Sequence, residues 1–166
     1  ALSSAASDVY KRQDKLSETR NAIKNGADEI DYVVNLTKLK AGDTAYIESE
    51  MARITDICRE FSVVSKVIFE NCYLTEDEKK TLCHIAAKVK PDFIKTSTGF
   101  GTGGATLEDV ALMKKETEGS GVKIKAAGGI RTLKTALEMI NLGVSRIGST
   151  SSVAIMEEYM ANSPLL

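Results

Sequence analysis

Phe93-Ile94-Lys95-Thr96-Ser97-Thr98-Gly99 sets a lysine inside a β-branched strand, directly before a loop rich in hydroxyls and glycines. Thirty positions on, Val122-Lys123-Ile124-Lys125-Ala126-Ala127-Gly128-Gly129 repeats the arrangement. A lysine in such a place is unusual, because burying an unpaired ammonium carries a desolvation cost that is met by losing the proton. The spacing is that of one βα unit, so the two strands are expected to be neighbours that end in lysines on the same side.

Outward from these two stretches, short strand-like runs alternate with amphipathic helices from Asp14 onward, which predicts parallel βα construction. Strands are expected over 29–35, 66–70, 92–97, 122–127 and 146–149. Helix starts are readable: Thr75 with Glu78 makes a capping box, and Thr106 and Thr132 are good N-cap residues. Ile47, Met51, Ile54, Cys58 and Phe61 recur at three- and four-residue steps, which predicts one buried helix face. Gly143 is placed to end the helix that carries Leu137 and Ile140. Periodicity alone does not separate a doubly wound sheet from a barrel. Chemically loaded residues end several consecutive strands, however, as at a barrel mouth. The expected fold is α/β, of the (β/α)8 TIM-barrel type, present as an N-terminally truncated partial barrel of about five βα units out of eight. Residues 1–13 open on an Ala/Ser-rich run without periodicity and read as a tail or foreign junction, leaving 14–166 as the partial-barrel domain.

With 43% apolar residues in 166, the chain can bury one sizeable core. Its 22 basic and 23 acidic residues nearly cancel, so it lacks the field that attracts nucleic acid or an anionic membrane, and any anion must be held locally. No apolar run is long enough to cross a bilayer and no basic-then-apolar leader opens the sequence, so a cytoplasmic location is the default expectation. Cys58, Cys72 and Cys83 match neither zinc-site nor CxxC spacing, so they read as reduced packing thiols and no metal is expected. His84 adjoins Cys83 in a predicted helix. Adjacent helical residues diverge, so no Cys–His dyad is expected and His84 is assigned to the surface.

Lys95 has the position of an amine nucleophile. At an ordinary pKa of ~10.4 only about 0.04% of a lysine is neutral at pH 7, so attack on a carbonyl requires a depressed value. Lys125 could supply the depression: two ammoniums at ~4 Å repel by about 4 kcal/mol at an effective dielectric of ~20, roughly three pKa units. The competing reading of Lys95 is a strand-edge lysine facing solvent. Lys123 could equally be a polar residue at the barrel bottom. Asp31, flanked by apolar residues in its strand, needs a cationic partner, and the lysine pair would be one; a structural ion pair would use the same residues. Asp28 and Glu29 read as solvated. Three loops suit a phosphate: 97–106 with Gly99, Gly101, Gly103 and Gly104; Gly128-Gly129 before Thr132; and 148–152 before the last helix. The last two suit it best. Gly99, Gly101 and Gly104 satisfy GxGxxG, but the next strand ends in Lys125-Ala126-Ala127-Gly128 where a dinucleotide site wants an acid. No cofactor is expected.

Gly26-Ala27-Asp28-Glu29-Ile30-Asp31, Lys66-Val67-Ile68-Phe69-Glu70, Phe93-Ile94-Lys95-Thr96-Ser97-Thr98-Gly99-Phe100-Gly101 and Lys125-Ala126-Ala127-Gly128-Gly129-Ile130-Arg131-Thr132 resemble, in order, the motifs of the deoxyribose-phosphate aldolase family. The resemblance implies a class I aldolase without metal or cofactor that reversibly cleaves 2-deoxy-D-ribose 5-phosphate to D-glyceraldehyde 3-phosphate and acetaldehyde. It implies Lys95 as Schiff-base nucleophile, Lys125 as the group perturbing it, and Asp31 in a proton relay through water. Gly128, Gly129, Thr150 and Ser151 would hold the phosphate, and Thr98 would be a further substrate contact. The expected partners are a phosphorylated sugar and an aldehyde, with no nucleic acid and no membrane. The chain departs from the pattern at the front, where the first three barrel strands are lacking. Open strand edges then leave association with another chain, a homo-oligomer included. Phe100 also falls where some relatives carry a basic residue. Two alternatives stay open: another Schiff-base or phosphate-binding barrel, and an inactive fragment of the aldolase.

Overall fold

Alternation of apolar and polar residues along five short segments sends one set of side chains to each face of a sheet. In the computed structural model, which describes residues 14–162, these segments are β1 (Glu29–Val33), β2 (Val64–Ile68), β3 (Phe93–Lys95), β4 (Lys123–Ala127) and β5 (Arg146–Gly148). They form one wholly parallel sheet in the order β1-β2-β3-β4-β5. A helix over 14–24 (α1) precedes β1. The crossovers carry α2 (Leu36–Lys40), α3 (Thr44–Glu60), a 3₁₀ turn at Asn71–Tyr73, α4 (Glu76–Val89), α5 (Leu107–Glu116) and α6 (Leu133–Asn141), and α7 (Ser152–Asn162) follows β5. The junction expected over 1–13 lies outside the described residues.

One sheet face builds the core. Val67, Ile94, Ile124 and Ala126 meet Ile47 and Met51 of α3, Leu82, Cys83 and Ala86 of α4, Val110 and Met113 of α5, and Ala136 and Met139 of α6. A smaller cluster of Leu16, Ile30, Ile54, Ile57 and Cys58 seats α1 and α3 beside β1. The capping box of Thr75 and Glu78 is formed, and Thr106 and Thr132 cap α5 and α6 as expected. Gly143, at φ +95°, follows the end of α6 in the left-handed region that glycine adopts without strain. Burial raises the Cys58 thiol to about 11 and the Cys83 thiol to about 12, and His84 is exposed against Glu116 at 2.7 Å.

Several expectations are corrected. β2 begins and ends two residues earlier than predicted, because Glu70 takes a left-handed φ of 57° and turns the chain out of the ladder into the 3₁₀ turn. β1 stops at Val33, since Asn35 caps α2 by accepting from the Lys38 N–H at 3.0 Å. β3 stops at Lys95 because the Thr96 hydroxyl inserts between strands, donating to Ala127 O and accepting from Ala127 N–H, each at 3.1 Å. Phe61, placed by periodicity on the buried face of α3, is the C-cap residue and is 44% exposed. Leu137 and Ile140 are also partly exposed, in an apolar groove between α6 and α7 that Met156 and Tyr159 complete.

Ile94→Ala, which empties a fully buried position between sheet and helices, is expected to lower the unfolding free energy by about 2–5 kcal/mol. Phe61→Ala is expected to cost about 1 kcal/mol or less. Urea titrations of both variants against the parent check this ordering.

Candidate active site

The second sheet face carries charge. Parallel register aligns Asp31 with Lys66, Lys66 with Phe93, Lys95 with Lys125, and Lys125 with Arg146. All these side chains therefore point the same way, opposite to the helices. Lys95 Nζ donates to Asp31 Oδ2 at 2.9 Å, Lys125 Nζ lies 3.8 Å from the same oxygen, and Lys66 Nζ donates to Asp31 Oδ1 at 2.7 Å. Three ammoniums thus converge on one carboxylate. Lys95 and Lys125, paired in register on adjacent strands, share a single oxygen and stand close enough for their charges to repel.

Lys66 was not among the residues expected here. Its side chain is 2% exposed, and its ammonium lies between Asp31 and Glu29, the latter at 2.6 Å. Glu29, which the sequence assigned to solvent, also holds Arg146 at 2.6 Å, closing the network from the first strand to the fifth. The signal for Lys66 was a lysine directly before the apolar run Val67-Ile68-Phe69, inside a short buried strand. Only the register of β1 against β2 says which acid it meets.

The electrostatics follow from this crowding. Burial pushes the Asp31 carboxyl up, but hydrogen bonds from Lys66 and Lys95 outweigh it and hold the group below the usual carboxylate range. Hydrogen bonds from Lys66 and Arg146 hold Glu29 low as well. Lys125 is held below the ordinary lysine value, first by burial; the Asp31 charge opposes the shift, and the charges of Lys95 and Lys66 reinforce it. Repulsion between the lysines is therefore one contribution among several.

Above the lysines opens a cleft of about 330 Å³, lined by Lys95, Thr98, Lys125, the 127–131 segment and the 148–150 segment. Gly128 and Gly129 lie at its wall with φ of +83° and +77°. Gly104 explains their placement: a Cβ on it would stand 2.3 Å from both C and O of Gly128, so only glycine admits this approach of the two loops. Ala105 N–H donates to the carbonyls of Ala127 and Gly128 and fixes the contact. Thr150 lines the cleft, whereas Ser151 is absent from its lining and its N–H donates to Ser149 Oγ at 2.9 Å. Thr98 lines the cleft as well, with its N–H and hydroxyl committed to Glu70 at 3.1 and 2.5 Å. The left-handed turn at Glu70 therefore braces the loop after Lys95. Phe100, beyond it, is 96% exposed. Among the described residues, no three His, Cys, Asp or Glu side chains gather as a metal-ligand set, and no helix is long and apolar enough to cross a membrane.

Residues 1–150 match the sequence profile of the DeoC/LacD family aldolases. The chain is 57% identical over 145 residues to the deoxyribose-phosphate aldolase of Lactobacillus acidophilus, covering 87% of this chain and 61% of that protein. To the deoxyribose-phosphate aldolase of Thermococcus kodakarensis it is 50% identical over 143 residues, covering 86% and 63%. It thus spans about three fifths of the length of these curated relatives. Among solved structures it is similar to QR15, an aldolase, at a TM-score of 0.83 and 41% identity, over 90% of this chain and 66% of that one. It is also similar to the tetrameric deoxyribose phosphate aldolase of Aeropyrum pernix, at a TM-score of 0.81 and 26% identity, over 92% and 63%. The five parallel strands are accordingly part of a TIM-barrel sheet.

Because its folded-state value is lowered, the Lys125 ammonium opposes folding at neutral pH and ceases to do so as pH rises to the ordinary lysine range near ~10.4. Lys125→Met is therefore expected to raise the melting temperature at pH 7, with the gain fading by about pH 10; melts followed by circular dichroism at both pH values read the sign. Gly104→Ala is expected to destabilise by about 1–3 kcal/mol, since backbone must move to admit the methyl group; its urea midpoint measures the loss.

Proposed function

This chain belongs to the DeoC/LacD family of aldolases, and we propose that it carries out the reversible cleavage of 2-deoxy-D-ribose 5-phosphate to D-glyceraldehyde 3-phosphate and acetaldehyde, with Lys95 as the Schiff-base nucleophile. The observation that carries this reading is the pair of lysines, in register on adjacent strands, sharing one oxygen of Asp31 at the floor of the cleft. The names of the relatives, deoxyribose-phosphate aldolases, support the choice of substrate.

The Lys95 amine adds to the C1 aldehyde of the open-chain sugar, and the carbinolamine loses water to leave an iminium. Protons for this step pass through Asp31, Lys125 and water. A lysine held below its ordinary value is suited to giving and taking protons nearer neutral pH. Deprotonation of the C3 hydroxyl then breaks the C2–C3 bond. Its electron pair forms an enamine with C1 and C2, and C3 departs as the aldehyde of D-glyceraldehyde 3-phosphate. Protonation at C2 restores an iminium, and water hydrolyses it to acetaldehyde and free Lys95. The phosphate is held by the backbone of Gly128 and Gly129 and by Thr150, where the N-termini of α6 and α7 add favourable dipoles; Ser151, whose N–H is committed to Ser149, supports the loop rather than the phosphate. Thr98, which lines the same cleft, is a further substrate contact.

A second reading draws support from the two outer strands, β1 and β5, each paired on one side only among the described residues. In that reading the same lysines capture an aldehyde but do not complete turnover until another chain covers those edges. Borohydride trapping with acetaldehyde, followed by peptide mass mapping, is expected to place an ethyl group on Lys95. Lys95→Arg is expected to abolish the adduct, and Lys125→Met to slow its formation by about 10²–10⁴-fold. An adduct on Lys125, or on no lysine, defeats the assignment. Acetaldehyde release from deoxyribose 5-phosphate separates the two readings: release supports full cleavage, and trapping without release supports capture alone.

A further inference from the structure

Glu29 lies outside the cleft, yet it contacts both cations that flank the reacting lysines. Its Oε2 is 2.6 Å from Lys66 Nζ, and its Oε1 accepts from Arg146 at 2.6 Å, a contact that reaches from β1 to β5. Lys66 in turn donates to Asp31 at 2.7 Å. A buried ammonium that faces one carboxylate neutralises it; one that faces two is shared between them. Glu29 therefore takes part of the Lys66 charge that would otherwise fall on Asp31. What Lys66 leaves unneutralised on Asp31 is what Lys95 and Lys125 meet at the other oxygen.

We propose that Glu29 is a positioning residue of this site: by engaging Lys66 and Arg146 it sets how much of the Asp31 charge reaches the Lys95 and Lys125 amines, and so the pH at which the chain captures an aldehyde. The inference rests on the aldolase reading of the same lysines. It names an acid that touches no substrate and acts through a buried cation. The contributions to Lys125 agree with it, since charges of Lys66 and Glu29 both reach that amine, with opposite signs.

The charged groups facing Glu29 are Asp31 on its own strand, Lys66 from β2 and Arg146 from β5. Lys15 and Glu18 of α1 line the groove beside it, and Lys15 is paired with Glu50 at 3.0 Å. Lys123 of β4 sits over the ring of Phe93, as Arg146 does. The amines themselves are faced by Asp31, by Lys66 and by Arg131, which lines their cleft. Lys66 and Arg146 are the two cations among these that bond directly to Glu29, so altering any one of the three moves charge in a direction that can be stated beforehand.

The test is the pH dependence of borohydride trapping with acetaldehyde on the whole chain, read as the midpoint of the rising limb of the rate. Glu29→Gln removes a negative charge and leaves Lys66 to Asp31, so the midpoint is expected to fall by about half a unit to one unit. Lys66→Met and Arg146→Met each remove a cation, so their midpoints are expected to rise. Glu29→Asp, which keeps the charge, is expected to return the midpoint toward that of the parent. A merely structural role for the network lowers trapping amplitude in all variants without shifts of opposite sign. Should Glu29→Gln lose its cooperative melt, Arg146→Met carries the same sign test from the other side of the contact. An adduct on Lys95 in the parent together with unmoved midpoints, with a Glu29→Gln midpoint that rises, or with an Arg146→Met midpoint that falls, overturns this inference alone. No adduct on Lys95 in the parent overturns the aldolase reading and this inference with it.

Discussion

The site depends on one carboxylate answering to three ammoniums. Asp31 cannot neutralise Lys66, Lys95 and Lys125 together, so the cluster keeps a surplus of positive charge even after Glu29 is counted. Such a cluster in water would be screened and unremarked. Against a sheet, with Lys66 almost wholly out of solvent, the surplus is felt, and it favours release of a proton from an amine and attraction of an anion. Both are properties that the proposed Schiff-base chemistry on a phosphorylated sugar would draw on.

That crowding is tolerable because the sheet divides its labour between two faces. The face toward the helices is apolar and closely packed, and it supplies the burial that holds the fold together. The other face carries Glu29, Asp31, Lys66, Lys95, Lys125 and Arg146 in neighbouring register positions. Charge repulsion there costs stability that the helix face offsets. Lowered stability at functional residues is the ordinary companion of activity.

The loops above the strands are held by contacts that leave little freedom. Glu70, in a left-handed turn, grips Thr98 by both its N–H and its hydroxyl, and so fixes the chain immediately after Lys95. Gly104 lies where no side chain fits, against Gly128. Thr96 stitches the ends of β3 and β4 with its hydroxyl where ladder hydrogen bonds give out. Each contact joins the crossover after β3 to a neighbouring strand end, so the loop after Lys95 and the glycine wall of the cleft are tied to the strands that carry the two lysines.

Much of this was legible in the amino-acid order. Hydrophobic period, capping residues and the thirty-residue recurrence of a lysine-bearing strand determined parallel βα construction and put Lys95, Lys125 and Asp31 in strands, because those signals act over a few residues of chain. Tertiary structure decided what they meet. Strand register set Lys66 against Asp31, a side-chain contact between the two outer strands joined Glu29 to Arg146, and no local pattern encodes a pairing between residues 29 and 146. Loop packing gave Thr98 to Glu70 and left Ser151 donating to Ser149. Contacts of this kind arise only when distant segments are brought within a few ångströms, where charge and steric fit become strong enough to select one arrangement.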